Sequence, residues 1–267
     1  MRYISFLFLF ILCACEQKES PTTHGDPIYR QHDEKWLPDE GVREKKPPQY
    51  PWQKERVRGL PPITKEYFRC KGNPLHPAKI EEKNGEIVAF FNDCGGSHRH
   101  SLPLYENKEY IAPILLELLN MIQEKTQKKI IITSGHRCPE HNAYIDRSVQ
   151  NMGAKQMIGA AVDFYIEGLE FAPETALTLI QDFYKTEPRY EGQKYFQEFS
   201  RPEKLSNTVT PPWYNKEVFI KLFLPSEGRN QDNAHTFPYI NIQVRYDFEK
   251  KEPLRFSEER AHNFLRY

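Results

Sequence analysis

Apolar positions recur every three to four residues along EYIAPILLELLNMIQEKTQ, residues 109 to 127, and put Ile111, Leu115, Leu118 and Ile122 on one face. That period predicts an amphipathic helix. APETALTLIQDFYKTEP repeats the pattern and predicts another over 172–188. AAVDFYI, 160 to 166, has a period of two: Ala161, Asp163 and Tyr165 face one way, Val162, Phe164 and Ile166 the other. KKIIITSG (128–135) reads as a strand running into a turn, and Pro139 opens a short helix carrying His141 and Asn142. EVFIKLFL and YINIQVRYDF are strands joined by the polar loop PSEGRNQDNAHTFP. RCKGNPLHPAKIEEKNGEIVAFFNDCGG reads as a hairpin turning at Asn84-Gly85. Helices and mostly antiparallel strands mix without a βαβ rhythm. The expected class is α+β, a small antiparallel sheet with flanking helices.

The first 62 residues break these patterns. MRYISFLFLFILCAC is one basic residue, an apolar run and then cysteine, the shape of a secretory signal. The run is shorter than the roughly 20 apolar residues a spanning helix needs. LCAC at 12–15 resembles the bacterial lipoprotein signal, which implies cleavage before Cys15 and lipidation of Cys15. A plain signal peptide cut nearby is the other reading. Acyl chains bury about 0.8 kcal/mol per CH2, so several of them anchor stably. The expected location is the bacterial cell envelope, lipid-anchored and extracytoplasmic, on the periplasmic face. Residues 16–62 carry eight prolines and many charges, a composition that favours a tether or a surface-hugging arm. Trp36 and Trp52 would let such an arm dock locally. Residues 63–267 fit a single domain.

Charge excludes one class of partner. The 37 basic and 37 acidic residues balance, and no block is basic enough for a nucleic-acid footprint. Cysteine usage adds another element. Cys70 and Cys94 flank the hairpin, and in an oxidising compartment they are candidates for a disulfide contributing about 3 kcal/mol. Free thiols, or pairing through Cys138, are the alternatives. Three thiols near His98 and His100 would also suit zinc, but without a CxxC pair that signal is weak.

SGHRCPEHN (134–142), GAKQMIGAAVDF (153–164) and YINIQVRYD (239–247) resemble, in order and spacing, the three core motifs of the M15 peptidases. These are the zinc D,D-carboxypeptidases and D,D-dipeptidases of bacterial cell walls. The family pattern is roughly SGYRxPxHN, then SxHxxGxAxD, then a strand with HxDV. The resemblance implies a zinc held by a loop His, a strand Asp and a later His, with a nearby carboxylate as general base. Zinc with three protein ligands keeps a position for water and lowers its pKa to about 7. It also implies an arginine that grips the substrate.

The ligand positions depart from that pattern. Asp163 stands at the carboxylate ligand, but Gln156 and Asn241 stand at the two histidines. Arg137 matches the arginine, and His136 replaces a tyrosine; both are substrate-binding candidates. No acid lies in the four residues before Asn241. Neutral amides are poor zinc ligands, whereas they donate and accept hydrogen bonds freely. The favoured reading has no cofactor: a pseudoenzyme that binds cell-wall peptide or an envelope partner in the old cleft. One alternative is an active zinc D,D-peptidase with re-sited ligands, recruiting His235 or the His98/His100 pair. Another is a structural envelope lipoprotein. His141 is expected to be a structural hydrogen-bonder. Glu227, Arg229 and Asp232, in a solvated loop, could rim the cleft, where Trp213 and Tyr214 could also be presented.

Overall fold

The computed structural model describes residues 59–147, 153–202 and 210–267, all within one compact unit. Cys15, Trp36 and Trp52 lie outside the described residues. The class is α+β. In chain order the strands are β1 (Lys79–Lys83), β2 (Glu86–Phe91), β3 (Leu104–Tyr105), β4 (Lys108–Glu109), β5 (Ile130–Ser134), β6 (Ala161–Ile166), β7 (Trp213–Tyr214), β8 (Val218–Phe223), β9 (Tyr239–Val244), β10 (Tyr246–Asp247) and β11 (Glu252–Pro253). The α-helices are α1 (Pro113–Thr126), α2 (Pro139–Ile145), α3 (Glu174–Thr186), α4 (Lys194–Gln197) and α5 (Glu258–His262). Among the described residues no helix is long and apolar enough to cross a membrane.

Five strands form the main antiparallel sheet, in the order β5-β6-β9-β8-β7. The two-residue period sorts its faces. Val162, Phe164 and Ile166 of β6, Ile240, Ile242 and Val244 of β9, and Val218 and Ile220 of β8 all join the apolar core. Against them pack Leu115, Leu118, Leu119 and Ile122 of α1 and Ala176, Ile180 and Tyr184 of α3. Burying one such large side chain contributes about 1.5–3 kcal/mol. The alternate positions, Asp163, Asn241, Gln243 and Lys221, come into register on the other face. A core-packed sheet thus presents a polar row.

Local chemistry corrects several boundaries. The first helix starts at Pro113 rather than near residue 109. The Tyr110 N–H instead donates to Pro103 O, and the Ala112 N–H to Gly159 O. Proline then takes the first helical position, where no donor is needed. The strand expected over 239–248 ends at Val244, because the Arg245 N–H turns to Glu217 O. The hairpin matches expectation: Asn84 (φ 55°) and Gly85 (φ 83°) form its turn between Lys83 and Glu86. The proline-rich segment docks at its described end. Gln123 Nε2 donates to Pro61 O at 3.0 Å, and Asn120 exchanges two hydrogen bonds with the Ile63 backbone.

Candidate functional site

Register builds the cleft. Asp163 faces Asn241 across β6 and β9, and a bulge between Ile132 and Ser134 of β5 brings Ser134 opposite Asp163 on its other side. Gln156 sits on a short 3-10 turn, Lys155–Ile158, closed by Gly159 at φ 68°. A Cβ on Gly159 would lie 2.5 Å from Tyr110 O, so both conformation and space require glycine there. Gln156, Asp163 and Asn241 line one cleft, together with Arg137, Lys155, Arg229, Tyr239 and Gln243. Gln156, Asp163 and Asn241 therefore meet at one place in the fold.

Asp163 and Asn241 make a hydrogen-bond network with Asn233 and Arg137. Asp163 accepts from Asn241 Nδ2 at 2.5 Å, from Asn233 Nδ2 at 2.9 Å and from Arg137 Nη2 at 3.3 Å. Asn241 Oδ1 in turn accepts from Gln243 Nε2 at 2.9 Å. Burial pushes the Asp163 carboxyl above its ordinary range, and Arg137 and the two amides only partly offset that. The Gln156 carbonyl accepts from the Arg137 and Gly159 N–H groups, which ties its turn to the arginine loop.

Arg137 is a buried counter-ion rather than an open clamp. It is 2% exposed. Its Nε donates to Ser134 Oγ at 2.7 Å and stands 3.3 Å from Asp232 Oδ2. Asp232 continues to His141 Nε2 (3.2 Å), and His141 Nδ1 to Asp93 Oδ1 (2.6 Å). Asp93 Oδ2 ends the chain on His76 Nδ1 at 2.7 Å. Burial lowers the His141 pKa, but its bonds to Asp232 and Asp93 prevail and raise it. His141 is thus the structural hydrogen-bonder expected.

Other sequence expectations move. His136 does not line the cleft. It is 1% exposed, its ring packs against His100 and Phe264, and burial drives its pKa down to about 3. The expected substrate contact becomes a neutral packed ring. His235 does not reach Asp163: its Nδ1 donates to Phe237 O at 2.9 Å, and its ring stacks on Phe237. His98 and His100 do not share a face, because their segment is a 3-10 turn rather than a strand; His98 is exposed and His100 buried. Cys70 and Cys94 form no disulfide; both are free thiols, with Sγ atoms 3.6 Å apart. Glu227 is held by Lys221 Nζ at 2.8 Å and is no rim residue. Trp213 and Tyr214 lie on edge strand β7, under Arg201 and Arg245 respectively.

The loop 225–238 is less solvated than its composition implies. Asn233 is fully buried; besides donating to Asp163, it accepts from Thr133 Oγ1 at 2.5 Å through its Oδ1. Asn230 caps the turn by accepting from the Asn233 N–H, so the Asn-x-x-Asn spacing was the available signal. Arg229 from the same loop borders the cleft over the Tyr239 ring, at 5.0 Å. Its three guanidinium nitrogens are buried without a hydrogen-bond partner among the described residues.

Compared with protein-family models, curated proteins and solved structures, the chain shows no match. The geometry must therefore stand alone. Among the described residues, two groups of His, Cys, Asp or Glu are close enough to share an ion, and neither includes Asp163. One is Asp93, Cys94 and His141, whose acid and imidazole already bond each other. The other is a buried Cys/His cluster able to bind a metal: Cys70, Cys94, Cys138 and His100.

Proposed function

We propose that this chain is a lipid-anchored, extracytoplasmic binding domain. In this reading it keeps the motif framework of the M15 D,D-peptidases without their zinc chemistry. The cleft holds the carboxylate end of a cell-wall peptide and does not hydrolyse it. The observation that carries this reading is the way Asp163 is held. Two carboxamides and a guanidinium take three of the roughly four lone-pair sites on its two oxygens, in place of the imidazoles that would complete a zinc site. Among the described residues no Cys or His joins Asp163 in a group close enough to share an ion, and no acid lies in the four residues before Asn241 to act as base.

Arg229 supports the ligand side of the reading. A buried guanidinium with all three nitrogens unpartnered is costly, and an anion that accepts from its fork relieves that cost. Gln156, Asn241 and Gln243 line the same cleft and offer amide groups to a peptide backbone. The anchor rests on Cys15 and would place the domain beside the wall.

The test is titration of a peptide ending in D-alanyl-D-alanine, compared with its C-terminal amide. A charge-assisted hydrogen bond contributes about 1.5–3 kcal/mol, so amidation, or Arg229→Ala, is expected to weaken binding roughly 10- to 100-fold. Equal binding of the free acid and the amide would overturn the carboxylate assignment.

A further inference from the structure

Three segments far apart in sequence meet at one buried point. Cys70 follows a short 3-10 turn, Lys65–Phe68; Cys94 follows β2; His100 follows the turn Gly96–His98; and Cys138 caps α2. Their relative exposures are 5%, 7%, 2% and 0% in that order, and their donor atoms all lie within 4.8 Å of one another. A zinc ion with Zn–S of about 2.3 Å and Zn–N of about 2.0 Å sets tetrahedral edges near 3.8 Å for S···S and 3.5 Å for S···N. Here Cys70 Sγ lies 3.6 Å from Cys94 Sγ, and Cys94 Sγ lies 3.6 Å from His100 Nε2.

The surroundings suit a metal better than a disulfide. His100 Nδ1 donates to Ser101 O at 3.0 Å, which leaves Nε2 as the lone-pair nitrogen facing the sulfurs. The Gly96 N–H donates to Cys94 Sγ at 3.3 Å and the His141 N–H to Cys138 Sγ at 3.4 Å, bonds that favour thiolates. Room is limited: a Cβ on Gly72 would fall 2.0 Å from Cys94 Sγ. A Cys70–Cys94 disulfide would use two donors and strand Cys138 and His100 together in the interior.

We propose that Cys70, Cys94, Cys138 and His100 form a structural zinc site, separate from the Asp163 cleft. Each cysteine binds as a thiolate and releases any proton it carries to solvent; His100 binds through neutral Nε2. Four protein ligands fill a tetrahedron and keep no position for water, so the site holds structure and performs no hydrolysis. It pins the loop carrying Arg137 and the start of α2 to the hairpin and to the 94–100 segment. Metal ligation also protects the three thiols from oxidation in an extracytoplasmic compartment.

The experiment is metal reconstitution of the untagged, reduced chain with cobalt(II) and with zinc. The expected results are about one equivalent bound, a thiolate-to-cobalt charge-transfer band, and a lower thermal midpoint after chelation. Asp163→Asn is expected to keep the metal. Cys138→Ser is expected to weaken binding by more than about 100-fold, beyond what a change behind the ligands costs. A reduced, folded wild-type chain that gives no charge-transfer band would overturn the proposal. So would a Cys70–Cys94 disulfide in protein isolated from its native envelope. Neither result bears on peptide binding through Arg229, so the two readings fail separately.

Discussion

Replacing Arg137 with alanine is expected to cost roughly 3–5 kcal/mol of folding stability, the usual penalty for removing one partner of a buried ion pair. The arginine faces two acids whose side chains are 4% and 5% exposed, Asp163 and Asp232. Asp232 keeps His141 as a partner, whereas Asp163 keeps only its two amides. The sign of the pH dependence follows. Burial already raises the Asp163 pKa, and loss of the cation raises it further. A carboxyl whose folded pKa exceeds its unfolded value loses stability as pH rises between the two. The penalty is therefore largest at neutral and higher pH and shrinks in mild acid, where Asp163 takes a proton. Arg137→Lys is expected to recover only part of the loss, since an ammonium cannot span Ser134, Asp163 and Asp232 as a fork does. Urea unfolding at two pH values reads both effects. A cost below about 1 kcal/mol at neutral pH, the level of an exposed pair, would show that Arg137 is no counter-ion.

The second large effect is a gain. Gln156→His combined with Asn241→His is expected to create a zinc site that the parent cleft lacks. Asn241 is directly opposite Asp163 in the β6–β9 register, and Gln156 lines the same cleft. Two imidazoles and a carboxylate form a set that zinc favours, whereas two amides and a carboxylate do not. The double variant should bind about one more equivalent of zinc than the parent, and adding Asp163→Asn should remove it. An unchanged stoichiometry would mean that these positions are not equivalent to the family's ligands, and the motif alignment would fail with it.

The framework was legible in the sequence because it follows simple periods. The 3.6-residue repeat of Leu115, Leu118 and Ile122 marks α1, and the alternation of Val162, Phe164 and Ile166 marks β6. Asn84-Gly85 announces its turn through backbone conformations that few other pairs tolerate. That Gln156, Asp163 and Asn241 line one cleft has no local signal, since no sequence pattern relates the residues before β6 to β9.

What escaped has a common cause: each feature depends on pairing between distant segments. Asn233 sits in a stretch whose polarity reads as solvent-facing, yet it fills the second amide position on Asp163. Arg137 reads as a ligand clamp until Asp232, from that same loop, is found against it. The three cysteines have no CxxC spacing, so the sequence joined them to zinc only weakly; the hairpin and the α2 cap bring them to His100. His136 and His100 are both buried histidines. One becomes a packed neutral ring and the other a nitrogen aimed at sulfur.

The account turns on Asp163 being satisfied by amides and a guanidinium, with no metal at its oxygens. Anomalous diffraction at the zinc edge, from wild-type crystals grown with excess zinc, examines that point directly. The expected map has no peak at coordinating distance from Asp163, with Asn241 and Asn233 still donating to its carboxylate. A zinc peak bonded to Asp163 would contradict the account.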